Sequence, residues 1–434
     1  MKIPVHREYV SRRPKFQLAL LLFCLPLLLE SSSVEGKLPP FQKSTREIIP
    51  GMIHVHLHSQ EPELWDIYVL EVDPKLVRLR LVMARDQVVG KETTSSLATR
   101  YQAAAAVNAG FFETVGPYQG DFDGFFSLKG SILSDPVDRR SSLGICERSD
   151  TQEIVMDQFS LDTSLFLENG ELIQITGINR ARGSEDVILY TPQFGEKTLT
   201  EGEGVEFLVE YGRVRRVSRD ASNLIPKNGF VVSVAGDENA DAASSKLKEG
   251  MNVALHHNLS SAHTVTGGPR VELEDCDYVS AGPALIRDGV AVSDFLSESG
   301  KFEAGFSLRR HPRTAVGQRE DGTLVFVVVD GRQPKLSVGM SLPELAELLL
   351  GLGVSDAYNL DGGGSTTMVI QGKIVNSISD RTGERPVSDA ILFFPRGEHS
   401  EGPQSFRKHH SFVMGTLPRA IPFSLATSTR SEGL

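Results

Sequence analysis

Thr323 to Asp330 reads TLVFVVVD, and all six residues from Leu324 to Val329 are apolar. A continuous apolar run of this length, rich in β-branched residues, is typical of a strand buried on both faces. It ends at Asp330-Gly331, a dipeptide that favours a turn. We therefore predict a central strand over 324–329, with Asp330 at its end.

The residues that follow predict a short helix and a second strand. Ser341 and Glu344 have the spacing of a capping box and precede a leucine-rich run that ends in glycines. The segment SDAYNL, residues 355–360, then leads to Asp361. Strand, helix and strand in this order indicate a crossover unit with parallel strands. We therefore expect Asp330 and Asp361 at one edge of the sheet, where open α/β sheets bind ligands.

The second strand runs into NLDGGGSTTM, Asn359 to Met368. Three consecutive glycines weaken local structure, so we predict that this loop approaches a ligand closely. Adjacent backbone N–H groups form a concavity that suits an anion, and the hydroxyls of Ser365, Thr366 and Thr367 add donors. We expect the ligand to meet the amides of Gly362, Gly363 and Gly364.

Positive charge for an anion is concentrated in LRRHPRTAVG, residues 308–317. Arg309 and Arg310 fit a solvated basic loop. Arg313 directly precedes an apolar run, where an unpaired charge is costly, so we select it as the phosphate ligand.

Composition limits the classes of protein. With 40% hydrophobic and 23% charged residues, the chain is typical of a globular protein with a sizeable core. Its formal net charge of -11 argues against nucleic acid as a partner.

The N-terminus resembles a secretory signal. Basic residues precede the apolar run Leu18 to Leu29, and three serines follow it. We predict a signal peptide over 1–33, a retained anchor being the alternative, and a secreted or periplasmic protein without an integral membrane segment after signal removal. The further predicted boundaries are a linker at 34–47, a domain at 48–396 with a β-rich inserted region at 150–265, and a disordered tail at 397–434.

Cys146 and Cys276 remain once the signal is removed. They could form a disulfide in an oxidising compartment or stay as buried free thiols. We predict that they pair.

Four motifs carry a resemblance to a known family: VNAGFF, HPRTAVG, VVVDGR and NLDGGGSTTM, in that order. Together they resemble the phosphodiester glycosidase family, over about residues 48–396. The resemblance implies hydrolysis of a sugar joined through its anomeric carbon to a phosphodiester, which releases the sugar and leaves a phosphomonoester. The fold class that we expect is α+β: a mixed, strand-rich catalytic domain with the β-α-β crossover near the active site. The chain looks like a bacterial member that acts on envelope or exopolysaccharide material.

Matching the motifs residue by residue gives the expected site. The catalytic candidates are Asp361, Asp330, Asn108 and Arg313. The substrate-binding candidates are Thr314, His311, Gly362, Gly363, Gly364, Ser365 and Thr366.

Several alternatives stay open at this point. The chain could be a non-catalytic carbohydrate-binding or envelope-assembly protein, or a metal-dependent phosphodiesterase that breaks the P–O bond. Which aspartate is the base is open. The sequence specifies no certain cofactor, and Asp330 and Asp361 could hold calcium. His54, His56 and His58 alternate on one strand face, which suits a metal site or, as we prefer, an exposed strand face.

Overall fold

The computed structural model of the chain describes residues 38, 40–137, 140–261, 276–295, 302 and 304–397. The predicted signal peptide and all but the first residue of the predicted tail lie outside them. Within the described ranges, no helix is long and apolar enough to cross a membrane. In chain order the strands are β1 (Gln42–Ile49), β2 (Met52–Ser59), β3 (Trp65–Val72), β4 (Val77–Met83), β5 (Ala105–Asn108), β6 (Phe126–Leu128), β7 (Ser131–Ser134), β8 (Ser141–Glu147), β9 (Gln152–Leu167), β10 (Leu172–Ile175), β11 (Gly177–Ile178), β12 (Val187–Tyr190), β13 (Gly204–Glu210), β14 (Arg213–Ser218), β15 (Gly229–Ala235), β16 (Val253–Ser261), β17 (Cys276–Ser280), β18 (Ala284–Arg287), β19 (Val290–Ala291), β20 (Arg313–Gln318), β21 (Leu324–Val329), β22 (Asp356–Asn359), β23 (Met368–Ile370), β24 (Lys373–Ile374) and β25 (Asp389–Pro395).

Helices are few and short. The capping box is present as predicted: the Ser341 hydroxyl accepts from the Glu344 amide, and the Glu344 carboxylate accepts from the Ser341 amide at 2.8 Å. This arrangement satisfies two backbone donors that a helix start leaves free. The described helices are α1 (Thr94–Arg100), α2 (Asp237–Lys246), α3 (Ala304–Leu308) and α4 (Leu342–Gly351).

Two sheets face each other around the main core. The larger has the strand order β1-β2-β3-β21-β20-β22-β18-β19, and the smaller has the order β24-β23-β5-β25-β4. Phe326 of β21 and Phe393 of β25 meet edge to face across the interface, with ring centroids 4.9 Å apart. The other face of β21 packs against Leu345 and Leu349 of α4. Every residue of β21 is therefore buried, as its apolar run predicts.

The strand–helix–strand segment differs from the simple crossover in one respect. β21, α4 and β22 follow in the predicted order, but β20 lies between the two strands. β20 is antiparallel to both. β21 and β22 therefore run in the same direction without pairing, and their carboxyl ends still share an edge.

The predicted inserted region is built of strands β9–β16 and helix α2. It is continuous with the rest of the fold, because β9 pairs with β8 and the seven-stranded sheet includes β6, β7 and β17. Cys146 and Cys276 lie directly opposite each other on β8 and β17 and form a disulfide. The predicted pairing is confirmed.

The predicted linker needs a correction. Gln42–Ile49 form β1 and pair with β2 as a polar, exposed edge strand. The polar side chains of β1 face solvent, and charged groups on an edge strand discourage pairing with another chain.

Candidate active site

The predicted site residues come from strand ends that meet at one edge of the two facing sheets. Asp330 follows β21, Asp361 follows β22, and Arg313 begins β20 between them. Asn108 ends β5 in the facing sheet, and the Asp361 amide donates to the Ala109 carbonyl at 2.9 Å. The ends of these strands therefore bring the four residues into one neighbourhood, as the strand polarity predicts.

Asn108 is fully buried and joins the two sheets. Its side-chain oxygen accepts from the Thr314 hydroxyl at 2.8 Å and from the Thr367 amide at 3.1 Å. Its side-chain nitrogen donates to the Asp361 carbonyl at 2.6 Å. With its oxygen and nitrogen both engaged, Asn108 fits the role of holding the glycine loop rather than that of binding a sugar hydroxyl.

The glycine loop, residues 361–367, offers fewer free amides than expected. The Gly362 amide donates to the Asp361 carboxylate at 2.8 Å, and the Gly363 amide donates to the Pro312 carbonyl at 2.9 Å. Only the Gly364 amide has no acceptor among the residues that the structure describes. The expectation that all three amides face a ligand is therefore wrong for two of them.

The glycines are required instead by conformation and by close packing. Gly363 has a φ of 63°, and a Cβ there would lie 3.0 Å from the Arg332 guanidinium. A Cβ on Gly364 would overlap the Arg385 and Asp380 side chains. Two arginines thus press directly on the loop, where any other residue would displace them.

The hydroxyls after the glycines are buried. Ser365, Thr366 and Thr367 are each at most 3% exposed. Neither the Thr366 nor the Thr367 hydroxyl has a hydrogen-bond partner within the described part of the chain. Because buried hydroxyls are nearly always paired, these two are candidate contacts for a polar ligand.

Arg313 lies on the opposite face of the sheet from Thr314. It is 1% exposed, and its guanidinium donates to the carbonyls of Met340, Phe306 and Arg309 at 2.6–3.0 Å. No carboxylate pairs with it in the described ranges. Burial, followed by the nearby charge of Arg332, lowers the pKa of Arg313 to about 9.

Arg332 is the functional candidate that the sequence reasoning missed. It is exposed, lies over Gly363, and places its Nη2 3.5 Å from Nδ1 of His311. Burial and the charges of Arg313, Arg332 and Arg309 lower the pKa of His311, which keeps that ring neutral at pH 7. The sequence did offer a signal for Arg332, because it is the last residue of the VVVDGR motif.

We call Arg313, Arg332 and His311 the basic cluster. Arg310 is separate from it, because its guanidinium pairs with Glu63 and Glu344 at 2.9 and 2.7 Å. The basic cluster has no carboxylate partner within the described residues, although the whole chain carries a net charge of -11. Uncompensated positive charge in an acidic protein is typical of a site for an anion.

Asp330 is 1% exposed at the end of β21. Its carboxylate accepts from the Ser377 amide at 2.8 Å and from the Asn376 side chain at 3.1 Å. Burial raises the pKa of Asp330 to about 7, against the effect of these two donors, and the Asp66 charge adds to the rise. A carboxyl group with this pKa can carry a proton at neutral pH and release it.

Asp361 and Asp389 are two further carboxyl groups at this edge. Burial raises the pKa of each to about 6. Asp389 was not predicted; its carboxylate accepts at 2.6 Å from the amide of Gly110, which belongs to the VNAGFF motif. A charged residue that begins the apolar strand β25 was the available signal.

The histidines of β2 are not simply exposed, which corrects our preferred interpretation. His56 stacks on Tyr68 with ring centroids 4.7 Å apart and contacts the Asp66 carboxylate, and His58 lies 3.5 Å from the same carboxylate. Across the described residues, no group of three or more His, Cys, Asp or Glu side chains is arranged to hold a metal ion.

The comparison with known proteins confirms the resemblance. Residues 203–394 match the sequence model of the phosphodiester glycosidase family, a range that holds three of the four motifs. The chain is 46% identical over 82 residues to the SPbeta prophage-derived uncharacterized protein YomE of Bacillus subtilis, which is 19% of this chain and 12% of that one. It is 47% identical over 68 residues to the N-acetylglucosamine-1-phosphodiester alpha-N-acetylglucosaminidase of Bos taurus, which is 16% and 12% of the two chains.

The similarity to a solved structure is broader. A crystal structure from Burkholderia pseudomallei, of a protein whose name refers to export, is 28% identical with a TM-score of 0.67. It covers 77% of this chain and 74% of the other. The two sequence relatives above are matched over only about an eighth of their own length.

Proposed function

We propose that this phosphodiester glycosidase domain hydrolyses the glycosidic bond of sugar-1-phosphodiesters, releasing the sugar and leaving a phosphomonoester. The observation that carries the proposal is the basic cluster beside the glycine loop, with ionisable carboxyl groups at the same edge. An acidic protein gains nothing in stability from grouped cations without partners, whereas a phosphodiester supplies the missing negative charge.

In the proposed complex, the exposed guanidinium of Arg332 makes the direct phosphate contact. Its planar fork matches two phosphate oxygens, and the free Gly364 amide adds a third donor. Arg313 acts as a fixed positive charge, because its Nε and Nη2 donate to backbone carbonyls that hold the guanidinium in place. His311 donates from Nε2 to the Gly305 carbonyl at 3.3 Å, which leaves Nδ1 as the acceptor that faces Arg332 and orients its guanidinium.

Two carboxyl groups serve the bond that breaks. Asp361, with a pKa of about 6, is mostly ionised at neutral pH and accepts a proton from the attacking water. The water oxygen bonds to the anomeric carbon while the bond from that carbon to the phosphate oxygen breaks, and its electron pair leaves with the phosphate. Asp330, with a pKa of about 7, gives its proton to the departing phosphate. The basic cluster stabilises the charge that grows on that phosphate.

The remaining predicted residues take supporting roles. Asn108 and Thr314 fix the position of the loop that carries Asp361. The buried hydroxyls of Thr366 and Thr367 are assigned to the sugar, together with Ser365. No metal ion is assigned a role.

We also propose that the protein acts outside the cytoplasm, on envelope or exopolysaccharide material. Three features support export: the N-terminal signal pattern, the Cys146–Cys276 disulfide, and the likeness to a structure whose name refers to export. Glycosyl phosphodiesters in such polymers present the required bond.

The proposal is tested by incubating the protein with a panel of sugar-1-phosphodiesters and identifying products by NMR. Free sugar with a phosphomonoester is the expected result, and Asp361→Asn should lower kcat at least about 100-fold with KM changed only a few-fold. Sugar phosphate as product would indicate P–O cleavage instead. Tight binding without turnover would indicate a carbohydrate-binding protein.

A further inference from the structure

Three titratable side chains stand in one cross-strand row. His58 on β2 is opposite Asp66 on β3, and the Asp330 amide donates to the Asp66 carbonyl at 3.0 Å. β21 pairs with β3 through Val328 and Tyr68, two residues earlier, so Asp330 and Asp66 share one face. Side chains directly opposite on antiparallel strands have Cβ atoms about 5 Å apart. The row therefore runs from half-exposed His58, through Asp66, to buried Asp330.

The backbone of this row is fixed. The Ser337 hydroxyl donates to the Asp330 carbonyl at 2.6 Å and accepts from the Asp66 amide at 3.2 Å. Trp65, beside Asp66, donates from its indole to the Gly339 carbonyl at 2.8 Å. Asp66 and Asp330 are thus held side by side in the backbone of the two strands.

Asp66 is itself attached to groups nearer the solvent. Its carboxylate accepts from the Tyr68 hydroxyl at 3.1 Å and contacts Nε2 of His56. The side chains of His56 and His58 remain 35% and 27% exposed, whereas that of Asp66 is 8% exposed. Protons from solvent can therefore reach the histidines, and the histidine charge acts on Asp66.

We propose that Asp66 and His56 are positioning residues that control the proton on Asp330, so that the contact of His56 with Asp66 makes the acid of the site sensitive to pH. This inference rests on the proposed function for its catalytic meaning, but the control itself is a property of the substrate-free protein. The negative charge of Asp66 makes Asp330 retain its proton, and a protonated His56 offsets that charge.

The charges of Asp66 and His56 act on the pKa of Asp330 in opposite directions. After burial, which is the largest cause, the Asp66 charge raises the pKa of Asp330 and the His56 charge lowers it. Where His56 carries no charge, the charge of Asp66 acts on Asp330 without compensation. Asp330 then keeps its proton to a higher pH than it would beside a charged histidine.

The other groups around Asp330 do not reproduce this effect. Burial and the charges of Asp330 and Asp66 raise the pKa of Tyr68, which stays protonated. Burial lowers the pKa of His54, which stays neutral at pH 7. From the facing loop, the contacts are Asn376 and the Ser377 amide, which do not titrate. Arg332, two residues along, lies over Gly363 rather than in this row.

The test is a ¹³C NMR titration of the full protein labelled at the aspartate carboxyl carbon, with the Asp330 signal assigned through Asp330→Asn. Asp66→Asn is expected to lower the pKa of Asp330 by about 1 unit, and His56→Gln to raise it by about 0.5 unit. His54→Gln, on the same strand face but without contact to Asp66, is the matched control and should leave the titration unchanged. Shifts below 0.2 unit for Asp66→Asn and His56→Gln, or shifts in the same direction, would overturn the inference.

A kinetic measurement separates this inference from the proposed function. On a sugar phosphodiester, the alkaline limb of the kcat/KM profile should move down in pH for Asp66→Asn and up for His56→Gln. NMR shifts without hydrolysis by any form would retain the control and refute the function. Hydrolysis together with an Asp330 pKa that neither substitution changes would retain the function and refute the control. If Asp66→Asn does not fold, His56→Gln, at a partly exposed residue, still tests the direction in which the pKa of Asp330 changes.

Discussion

Replacement of Arg332 by glutamine tests the basic cluster most sharply. Arg332 has a φ of 59°, so an unbranched polar residue keeps the backbone conformation with the least new strain. The substitution removes the guanidinium over Gly363 and leaves the buried charge of Arg313 in place. Because Arg332 is exposed and unpaired with any described carboxylate, the free energy of unfolding should change by less than about 0.5 kcal/mol.

The expected effect on catalysis follows from the hydrogen bond to phosphate that the substitution removes. A hydrogen bond to a charged group contributes about 1.5–3 kcal/mol, so its removal should lower kcat/KM about 10–150-fold. Part of the effect should appear in KM, since the phosphate is charged before the reaction, and part in kcat, since its charge grows. Arg332→Lys should recover only part of the activity, because an ammonium group lacks the planar fork.

The matched control is Arg310→Gln. Arg310 lies one residue from His311 but pairs with Glu63 and Glu344, away from the glycine loop. Its replacement should cost about 1 kcal/mol of stability at most and leave kcat/KM within about twofold. Steady-state kinetics on one sugar phosphodiester measures both variants. Equal effects of the two substitutions, or an Arg332→Gln enzyme with unchanged kcat/KM, would refute the assignment of Arg332.

Three other predictions concern the fold around the site. Asn108→Ala should lower the free energy of unfolding by about 3 kcal/mol or more in a denaturant titration, because it leaves several buried partners unsatisfied; a decrease of less than about 1 kcal/mol would show that the joint between the sheets is weak. The raised pKa of Asp330, about 7, means that the folded state binds more protons than the unfolded state between about pH 4 and pH 7, so stability falls as pH rises through this window. Asp330→Asn should remove part of that fall, and its stability relative to the wild type should therefore improve from pH 5 to pH 8; an unchanged difference would contradict the pKa. Replacing Cys146 and Cys276 together by serine should lower the free energy of unfolding by about 2–4 kcal/mol, and a thiol count of two in the denatured, unreduced wild type would refute the disulfide.

The strand ends were the most predictable part of the site. Asp330 follows an unbroken apolar run and Asp361 follows a short strand after a capped helix, so strand polarity alone puts both at one edge. The helix start was equally predictable, since the hydrogen bonds of Ser341 and Glu344 depend only on local spacing. Local sequence was sufficient here because the interactions involved are local.

Predictions that needed partners distant in sequence succeeded less well. The Gly363 amide donates to the Pro312 carbonyl, and this contact depends on where the segment before β20 enters the sheet. That Arg313 and Thr314 lie on opposite faces of the sheet could be predicted from the sequence, because neighbouring residues of a strand point to opposite faces. The row from His58 through Asp66 to Asp330 depends on the register of three strands, which their composition does not specify.

The measurement that tests the central claim most directly is hydrolysis of a sugar-1-phosphodiester in ¹⁸O-labelled water, with the phosphomonoester analysed by mass spectrometry and ³¹P NMR. Cleavage at the anomeric carbon places the water oxygen on the sugar. The expected product is therefore a phosphomonoester without label, formed at a rate that Asp361→Asn and Arg332→Gln both reduce. Label in the phosphate group would show that the P–O bond is broken and would contradict the account.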